Sequence, residues 1–263
     1  MTTQEDDSSA EETSTEVTTA ETETSAQAVA ETLSTKPSET STTEATTAAN
    51  QKPGTKAEIL AYYNAAVKKA KADKPGYSVS ERTLIDDKKI SSSKGWINSV
   101  APGIVSMARG SFSKWSDPEV TAKGASHSDL PPFADIKAEW VKSASCTESG
   151  GNYQIKIVLI DERVPDLPEN SRNTIHGQVL RNGVYTRPSI QDGADTIGGL
   201  EINKFACHYS GCYLDATVGK AAGAIAKITT LVSCQADVEA KLPVFGTLDA
   251  SVPLANESLY TFN

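Results

Sequence analysis

Residues 224–240 read AIAKITTLVSCQADVEA and carry the clearest signal for the fold of this chain. From Ile228 to Val238 small or apolar side chains alternate with polar ones, and Leu231 is the exception. A period of two residues is typical of an antiparallel strand with one face buried and the other in solvent. At about 15 residues the strand is much longer than the usual five or six. The stretch therefore predicts a long, half-buried antiparallel strand.

Similar patterns flank this strand on both sides. Residues 206–218 precede it through a glycine-bounded turn near 220–221, and residues 247–262 follow it. The apolar face of the preceding strand consists of Cys212, Leu214, Ala216 and Val218. Further upstream, residues 153–160 form another strong strand pattern, and residues 161–195 contain the prolines and glycines of a long irregular insertion. The second half of the chain is therefore predicted to be a long-stranded antiparallel sheet.

The N-terminal part of the folded region carries the strongest helix signal. Thr55 and Glu58 have the spacing of a capping box, and Pro75-Gly76 marks the end of the helix. The predicted buried stripe consists of Ile59, Tyr63, Ala66, Val67 and Ala70. Weaker helical patterns occupy residues 95–110 and 135–142. The sequence thus predicts an α+β class, with N-terminal amphipathic helices packed on a curved, long-stranded antiparallel sheet.

A separate segment precedes this domain. Residues 1–50 contain 15 Thr, 7 Ser, 11 acidic residues and one basic residue, and so carry a net charge of −10 within a whole-chain charge of −9. Such a composition buries too little apolar surface to offset the entropy of ordering, and its like charges extend it. We therefore predict two parts: a disordered acidic Ser/Thr-rich stalk over 1–54, and a single α+β globular domain over 55–263.

The four cysteines are Cys146, Cys207, Cys212 and Cys234. Their spacing is a poor match to zinc ribbons or fingers, so disulfides or buried free thiols are the favoured interpretations. With a tight turn near 220–221, Cys207 falls opposite Cys234, and this pair is the disulfide candidate. A register change of one residue would bring His208 to that position instead.

No motif in the sequence predicts catalysis or cofactor binding. Phosphate-binding, dinucleotide-binding, zinc-protease and serine-hydrolase signatures are absent, and three histidines are scattered along the chain. We therefore name no catalytic, cofactor-binding or metal-binding residue. Basic and aromatic residues do not interleave as they do in nucleic-acid-binding proteins, and no apolar run reaches membrane-spanning length.

The order of these segments resembles small, uncharacterised lipoprotein-type domains of Gram-positive bacteria. The resemblance rests on the stalk, on AEILAYYNAAVKKAKADKPGY at 57–77, on SASCTESGGNYQIKIVLID at 143–161, and on the C-terminal strands. It implies a space between sheet and helices that holds an apolar ligand. The acidic, Thr/Ser-rich composition of the stalk predicts a location outside the cell, with a cytosolic protein as the alternative. An acidic run follows Met1 where an export signal would be basic and apolar, so we expect the export signal to be absent from this chain.

Three functions are compatible with these patterns. The first is an extracellular, surface-tethered, non-catalytic binding domain whose partner is an apolar or lipid-like small molecule or a cell-surface polymer. The second is a structural or adhesive surface module. The third is a hydrolase, which clustered carboxylates or histidines in a cleft would favour.

Overall fold

The computed structural model describes residues 52–95, 113–128, 130–132, 134–195, 201–221, 223–242 and 246–263. The predicted stalk over 1–54 and the weak helix over 95–110 fall almost entirely outside these ranges, so both stay predictions. Everything that follows concerns the described residues.

The predicted first helix is confirmed as α1, Lys56–Asp73. The Thr55 Oγ1 accepts a hydrogen bond from the Glu58 amide at 3.2 Å, and the Glu58 carboxylate accepts one from the Thr55 amide at 3.0 Å. This closed capping box satisfies amides that have no partner within the helix. The helix ends at Lys74, whose φ of 49° is left-handed. All five residues of the predicted stripe are buried.

Nine antiparallel strands make up most of the regular secondary structure in the described ranges. Their bounds are β1 Tyr77–Ile85, β2 Glu119–Thr121, β3 Val141–Ser149, β4 Asn152–Leu159, β5 Glu162–Val164, β6 Glu201–Tyr209, β7 Tyr213–Gly219, β8 Ile225–Leu242 and β9 Gly246–Phe262. All nine belong to one sheet, in which seven follow the order β2-β1-β9-β8-β7-β4-β3, while β6 branches off by pairing with β8 and β5 pairs with β6. The long strand β8 pairs with β9 along one side, while β7 and β6 share its other side. The predicted long central strand is therefore present.

The predicted fold class, with N-terminal amphipathic helices packed on a curved sheet, is wrong. The structure is mostly antiparallel sheet and not a set of helices packed on a sheet. Residues 135–142, expected to be helical, contain only a 3-10 turn at Ala138–Trp140 before β3 begins. The physical reason is the backbone hydrogen bonding of β3, which pairs with β4 from Val141 onward and takes up the residues a helix would need.

Two short helices lie in the irregular insertion. They are α2, Ile175–Val179, and α3, Arg187–Asp195. The His176 ring of α2 stacks on Tyr209 of β6 at a centroid distance of 5.1 Å, so this part of the insertion packs on the sheet. At another part of the same face, Tyr62 of α1 contacts Tyr153 of β4 edge-on at 5.4 Å. Both α1 and the insertion therefore cover the inner face of the sheet, where the core lies.

The hairpin that contains the cysteines differs from the prediction in register. Ser210 to Cys212 interrupt the expected single strand, and the turn spans 219–224, where the Gly219 amide donates to the Ala224 carbonyl at 2.8 Å. Tyr209 is consequently opposite Cys234, and Cys207 is opposite Ala236. The register of β6 against β8 differs by two residues from the predicted one, because the turn is centred further along the chain than expected. An even shift keeps each side chain on its predicted face.

Candidate functional site

A pocket lies at the β2 edge of the sheet. Strand β2 pairs only with the start of β1, from Tyr77 opposite Thr121 to Val79 opposite Glu119. Beyond β2, the Ser116 amide donates to the Glu81 carbonyl at 2.7 Å, and the Glu81 amide donates to the Ser116 Oγ at 3.0 Å. These contacts hold the segment before β2 against β1, and the two form the floor of the pocket.

The opposite wall is a turn at residues 181–183. Arg181 has a left-handed φ of 63° and Gly183 a φ of 81°. A Cβ atom added at Gly183 would lie 2.5 Å from the Cβ of Asn256, so a glycine lets the turn approach β9 closely. The cavity between this turn and β1 has a volume of about 490 Å³. This volume falls within the range of small-molecule sites. We call the cavity the Glu81 pocket.

Glu81 is the anchor of the pocket. Its Oε1 accepts hydrogen bonds from the Asn182 Nδ2 and, at 3.2 Å, from the Ser258 Oγ. Among the described residues no donor contacts the Oε2 atom, and the Glu81 side chain is exposed at the pocket. Among the described residues, the carboxylate is therefore held through one oxygen, and its other oxygen accepts no hydrogen bond.

A row of polar side chains leads from the core to this carboxylate. Thr230 of β8 is opposite Ser258 of β9, which is opposite Glu81 of β1. Thr230 and Ser258 are buried, and the Thr230 Oγ1 has no hydrogen-bond partner. Unpaired buried hydroxyls are uncommon because each costs free energy. The inner face of the sheet is thus polar where it meets the pocket.

The charge around the pocket is predominantly negative. Glu81, Asp117 and Glu119 contribute three carboxylates, against one guanidinium from Arg181. Burial raises the pKa of Tyr260, so that its hydroxyl stays neutral, and this hydroxyl lies 3.3 Å from the Asn182 Nδ2. The lining therefore combines anionic acceptors with fixed amide and hydroxyl groups. This set of groups suits a small positively charged ligand with hydrogen-bond donors.

A second cavity of about 250 Å³ lies on the other side of Glu81. Here the Arg82 guanidinium lies 4.5 Å from the ring centroid of Trp115 and forms an ion pair with Glu257. Thr83 donates to the Asn256 Oδ1 at 2.7 Å, and the Asn256 Nδ2 lies 3.1 Å from the Tyr185 hydroxyl. The polar groups of this cavity therefore pair largely with each other.

The two disulfide candidates lie elsewhere. Cys207 and Cys234 are buried on the inner face of β6 and β8, and neither lines the Glu81 pocket. All four cysteines are free thiols in this structure. Cys207 and Cys234 occupy diagonal positions on the same face of neighbouring strands and are not directly opposite.

Buried histidines at two positions have protein partners. His176 Nδ1 lies 2.7 Å from the Glu162 carboxylate, which also accepts the first amides of α2. His127 Nδ1 lies 2.9 Å from the carbonyl oxygen of Ala125. Both rings therefore take part in local packing. Within the described ranges, no group of three or more metal-ligating side chains converges.

Sequence reasoning missed Glu81 as a site residue. Tyr77, Val79 and Glu81 alternate along β1, so the carboxylate occupies a position that points to the inner face. A charged residue in such an inward position was the available signal. Its partners Asn182 and Ser258 could not have been identified, because they lie far away in the chain.

Comparison with known proteins found no match among protein families, curated proteins or solved structures. In the part of the chain that the structure describes, no helix has both the length and the apolar character needed to cross a membrane. The site is therefore interpreted from its own chemistry.

Proposed function

We propose that this chain is an extracellular, surface-tethered, non-catalytic binding domain whose Glu81 pocket holds a small amine-bearing ligand. The observation that carries the proposal is the carboxylate of Glu81, which the Asn182 and Ser258 side chains hold through Oε1 at the cavity. An ammonium group placed at Oε2 would form a charge-assisted hydrogen bond, which is stronger than a neutral one. Asp117 and Glu119 add negative charge around the same cavity and favour a cation over a neutral molecule.

The polar lining distinguishes this ligand from the apolar one that the lipoprotein resemblance implies. Seven of the residues around the cavity have charged, aliphatic hydroxyl or amide side chains, which interact poorly with a hydrocarbon: Glu81, Ser116, Asp117, Glu119, Thr121, Arg181 and Asn182. Burying such groups against an apolar ligand would leave them without partners and cost free energy. The pocket therefore favours a polar ligand within the same general function of binding.

The location outside the cell rests on the composition of residues 1–50. A highly charged, Thr/Ser-rich segment suits a spacer between a surface and a domain. The resemblance to stalked lipoprotein-type domains of Gram-positive bacteria supports the same proposal.

Titration calorimetry of the full chain with glucosamine, N-acetylglucosamine and glucose tests the proposed ligand class. These sugars differ at one position, where only glucosamine carries an ammonium group. We expect glucosamine to bind about 10- to 100-fold more tightly than the two neutral sugars, as a charged hydrogen bond contributes about 1.5 to 3 kcal/mol. Glu81→Gln should remove this preference while retaining the Asn182 contact.

The matched control is Glu139→Gln, because Glu139 is an exposed carboxylate on the 3-10 turn before β3. This variant should bind glucosamine as the unmodified chain does. The proposal is wrong if none of the sugars binds, or if Glu81→Gln and Glu139→Gln bind glucosamine equally well.

A further inference from the structure

The indole of Trp115 is exposed at the second cavity beside Glu81. Trp115 is 39% exposed, although tryptophan is largely buried in most folded proteins, and it lines the cavity of about 250 Å³. Aromatic side chains at the wall of a cavity are common in small-molecule sites, because they offer a ligand a large and rigid apolar surface. Trp115 is therefore a candidate contact for a part of the ligand that lies outside the Glu81 pocket.

Two sets of contacts hold this indole in place. The Arg82 guanidinium lies 4.5 Å from the ring centroid, and Glu257 of β9 fixes the guanidinium through an ion pair. Ser116, the next residue in the chain, exchanges two hydrogen bonds with Glu81: its amide donates to the Glu81 carbonyl at 2.7 Å, and its Oγ accepts from the Glu81 amide at 3.0 Å. A side chain that is already held loses little conformational freedom when a ligand packs against it.

The charge of the second cavity differs from that of the Glu81 pocket. Arg82 and Lys114 contribute two cations to its lining. Glu81 and Glu257 contribute two carboxylates, so the formal charges cancel. The Glu81 pocket, in contrast, has three carboxylates and one guanidinium. A ligand with one ammonium group therefore places it in the Glu81 pocket, and a neutral group suits the second cavity.

The remaining groups of this cavity favour contact through an apolar face. Thr83 donates to the Asn256 Oδ1 at 2.7 Å, and Arg82 is paired with Glu257, so these groups already have partners. A ligand therefore gains affinity here chiefly by covering the exposed part of the indole. The ring of a sugar has a suitable surface, because its C–H groups lie above and below the ring and its hydroxyl groups lie around the rim.

The two cavities adjoin each other. Both are lined by Glu81 and Ser116, and both of these residues are exposed. The turn at 181–183 also borders both cavities, through Arg181 and Asn182 in the Glu81 pocket and through Gly183 in the second cavity. An extended ligand that passes over Glu81 and Ser116 can therefore occupy both cavities.

We propose that the two cavities are adjoining subsites for an oligosaccharide that contains an amino sugar. The sugar ring with the ammonium group occupies the Glu81 pocket, and a neighbouring neutral ring packs on Trp115. This inference rests on the proposed function, because the carboxylate of Glu81 binds the ammonium group. It identifies Trp115 as the residue that distinguishes linked rings from a single amino sugar.

Titration calorimetry of the full chain compares glucosamine with two β-linked disaccharides. Each disaccharide joins one glucosamine to one N-acetylglucosamine, with the amine on the reducing ring in the first and on the non-reducing ring in the second. All three sugars therefore carry one ammonium group and differ in the second ring. We expect the disaccharide whose linkage direction matches the order of the two cavities to bind about 5- to 20-fold more tightly than glucosamine, because packing its second ring on Trp115 removes apolar surface from water.

Replacing Trp115 tests the contact with the second ring. In Trp115→Ala this disaccharide should bind no more tightly than glucosamine binds to the same variant. Trp115→Phe keeps an aromatic ring and should retain part of the gain. Tyr213→Ala is the matched control, because Tyr213 also has a lysine over its ring, with the Lys156 Nζ 4.2 Å from the centroid, but lines neither cavity. This variant should show the full gain.

The outcomes separate this inference from the proposed function. If glucosamine binds no better than neutral sugars, the proposed function is wrong and the inference fails with it. If glucosamine binds through Glu81 but neither disaccharide binds more tightly, only the oligosaccharide inference is wrong. An equal gain in Trp115→Ala and Tyr213→Ala would also overturn it. Trp115→Phe decides the question if Trp115→Ala fails to fold, since an undiminished gain in that variant would contradict the role of Trp115.

Discussion

At the scale of single residues, Glu81 and Gly183 shape the pocket, and each is unusual for its position: Glu81 is a charged residue on the inner face of a strand, and Gly183 has a left-handed φ. Glu81 places a charge at an inward position of β1, where its neighbours in register are the buried Ser258 and the rest of the polar row. Gly183 adopts a conformation that other residues rarely take, at a point where a side chain would meet β9. Both departures occur at the same site, as is common where structure serves binding.

Replacing Gly183 by alanine should destabilise the chain by about 2 to 4 kcal/mol, because the new Cβ combines a left-handed φ with a collision against Asn256. Urea denaturation measures the change. Gly124→Ala is the matched control, since Gly124 has a φ of 85° and no atom within 4 Å of an added Cβ. It should cost only about 1 to 2 kcal/mol. Equal losses in the two variants would show that the turn does not press against β9.

At the scale of elements, the short helix α2 depends on one carboxylate. Glu162 of β5 accepts the Ile175 amide at 3.0 Å and the His176 amide at 3.2 Å, and it also pairs with the His176 ring. Negative charge at a helix N-terminus is favourable, and here it satisfies amides that five residues of helix cannot. The Glu162 side chain therefore ties the start of α2 to β5, in addition to the Thr174 hydroxyl, which accepts the Gly177 amide at 2.9 Å.

This contact should make stability depend on pH. Burial opposes ionisation of Glu162, but the hydrogen bonds from His176 and Ile175 outweigh it and hold the pKa of the carboxyl below its usual value. A lowered folded-state pKa contributes stability above the unfolded value of about 4.3 and loses it as the pH falls through the folded value. Glu162→Gln should therefore cost about 1 to 3 kcal/mol near pH 7, and the cost should shrink below about pH 4.

Urea denaturation of the unmodified chain and of Glu162→Gln, from pH 7 to pH 3.5, measures the difference between their free energies of unfolding. Glu201→Gln serves as the control, because the Glu201 carboxylate is largely exposed and forms a weak surface ion pair with Lys241 at the long distance of 3.7 Å. It should change stability little at any of these pH values. A cost of Glu162→Gln that stayed constant down to pH 3.5 would contradict the proposed role of the ionised carboxylate.

At the scale of the whole molecule, charge is divided unequally along the chain. Residues 1–50 hold a net charge of −10, so the remainder is close to neutral. An acidic, Thr/Ser-rich segment that precedes a nearly neutral remainder is in keeping with the proposed location at a cell surface. Any acidity relevant to ligand binding must therefore be local to the domain, as it is at the Glu81 pocket.

The proposed location is tested by brief protease treatment of intact native cells. The long, Thr/Ser-rich segment should be cleaved readily, releasing a fragment that begins near residue 52 and contains the folded part. Mass spectrometry of the released material identifies its first residue. A protein that is protected in intact cells, but cleaved after the cells are lysed, would contradict a location on the outer surface.

Local patterns were sufficient to predict several elements. The alternation in residues 224–240 predicted the central strand, and the spacing of Thr55 and Glu58 predicted the start of α1. The extent of helix was overestimated. Residues 135–142 include apolar side chains, but their backbone forms a 3-10 turn and the start of a strand. The site was not predictable to the same degree, because its groups come from segments that share no local pattern.

The sequence by itself determined which faces of the strands are buried, where α1 begins and which residues carry the acidic charge, because these depend on the spacing and chemistry of near neighbours. Only the tertiary structure decided the register of β6 against β8 and the pairing of β1 with β9, which brings Glu81 opposite Ser258. Glu81 and Ser258 lie 177 positions apart in the chain. The geometry of these pairings is set by packing and sheet hydrogen bonds across the whole domain, and no short stretch of sequence contains that information.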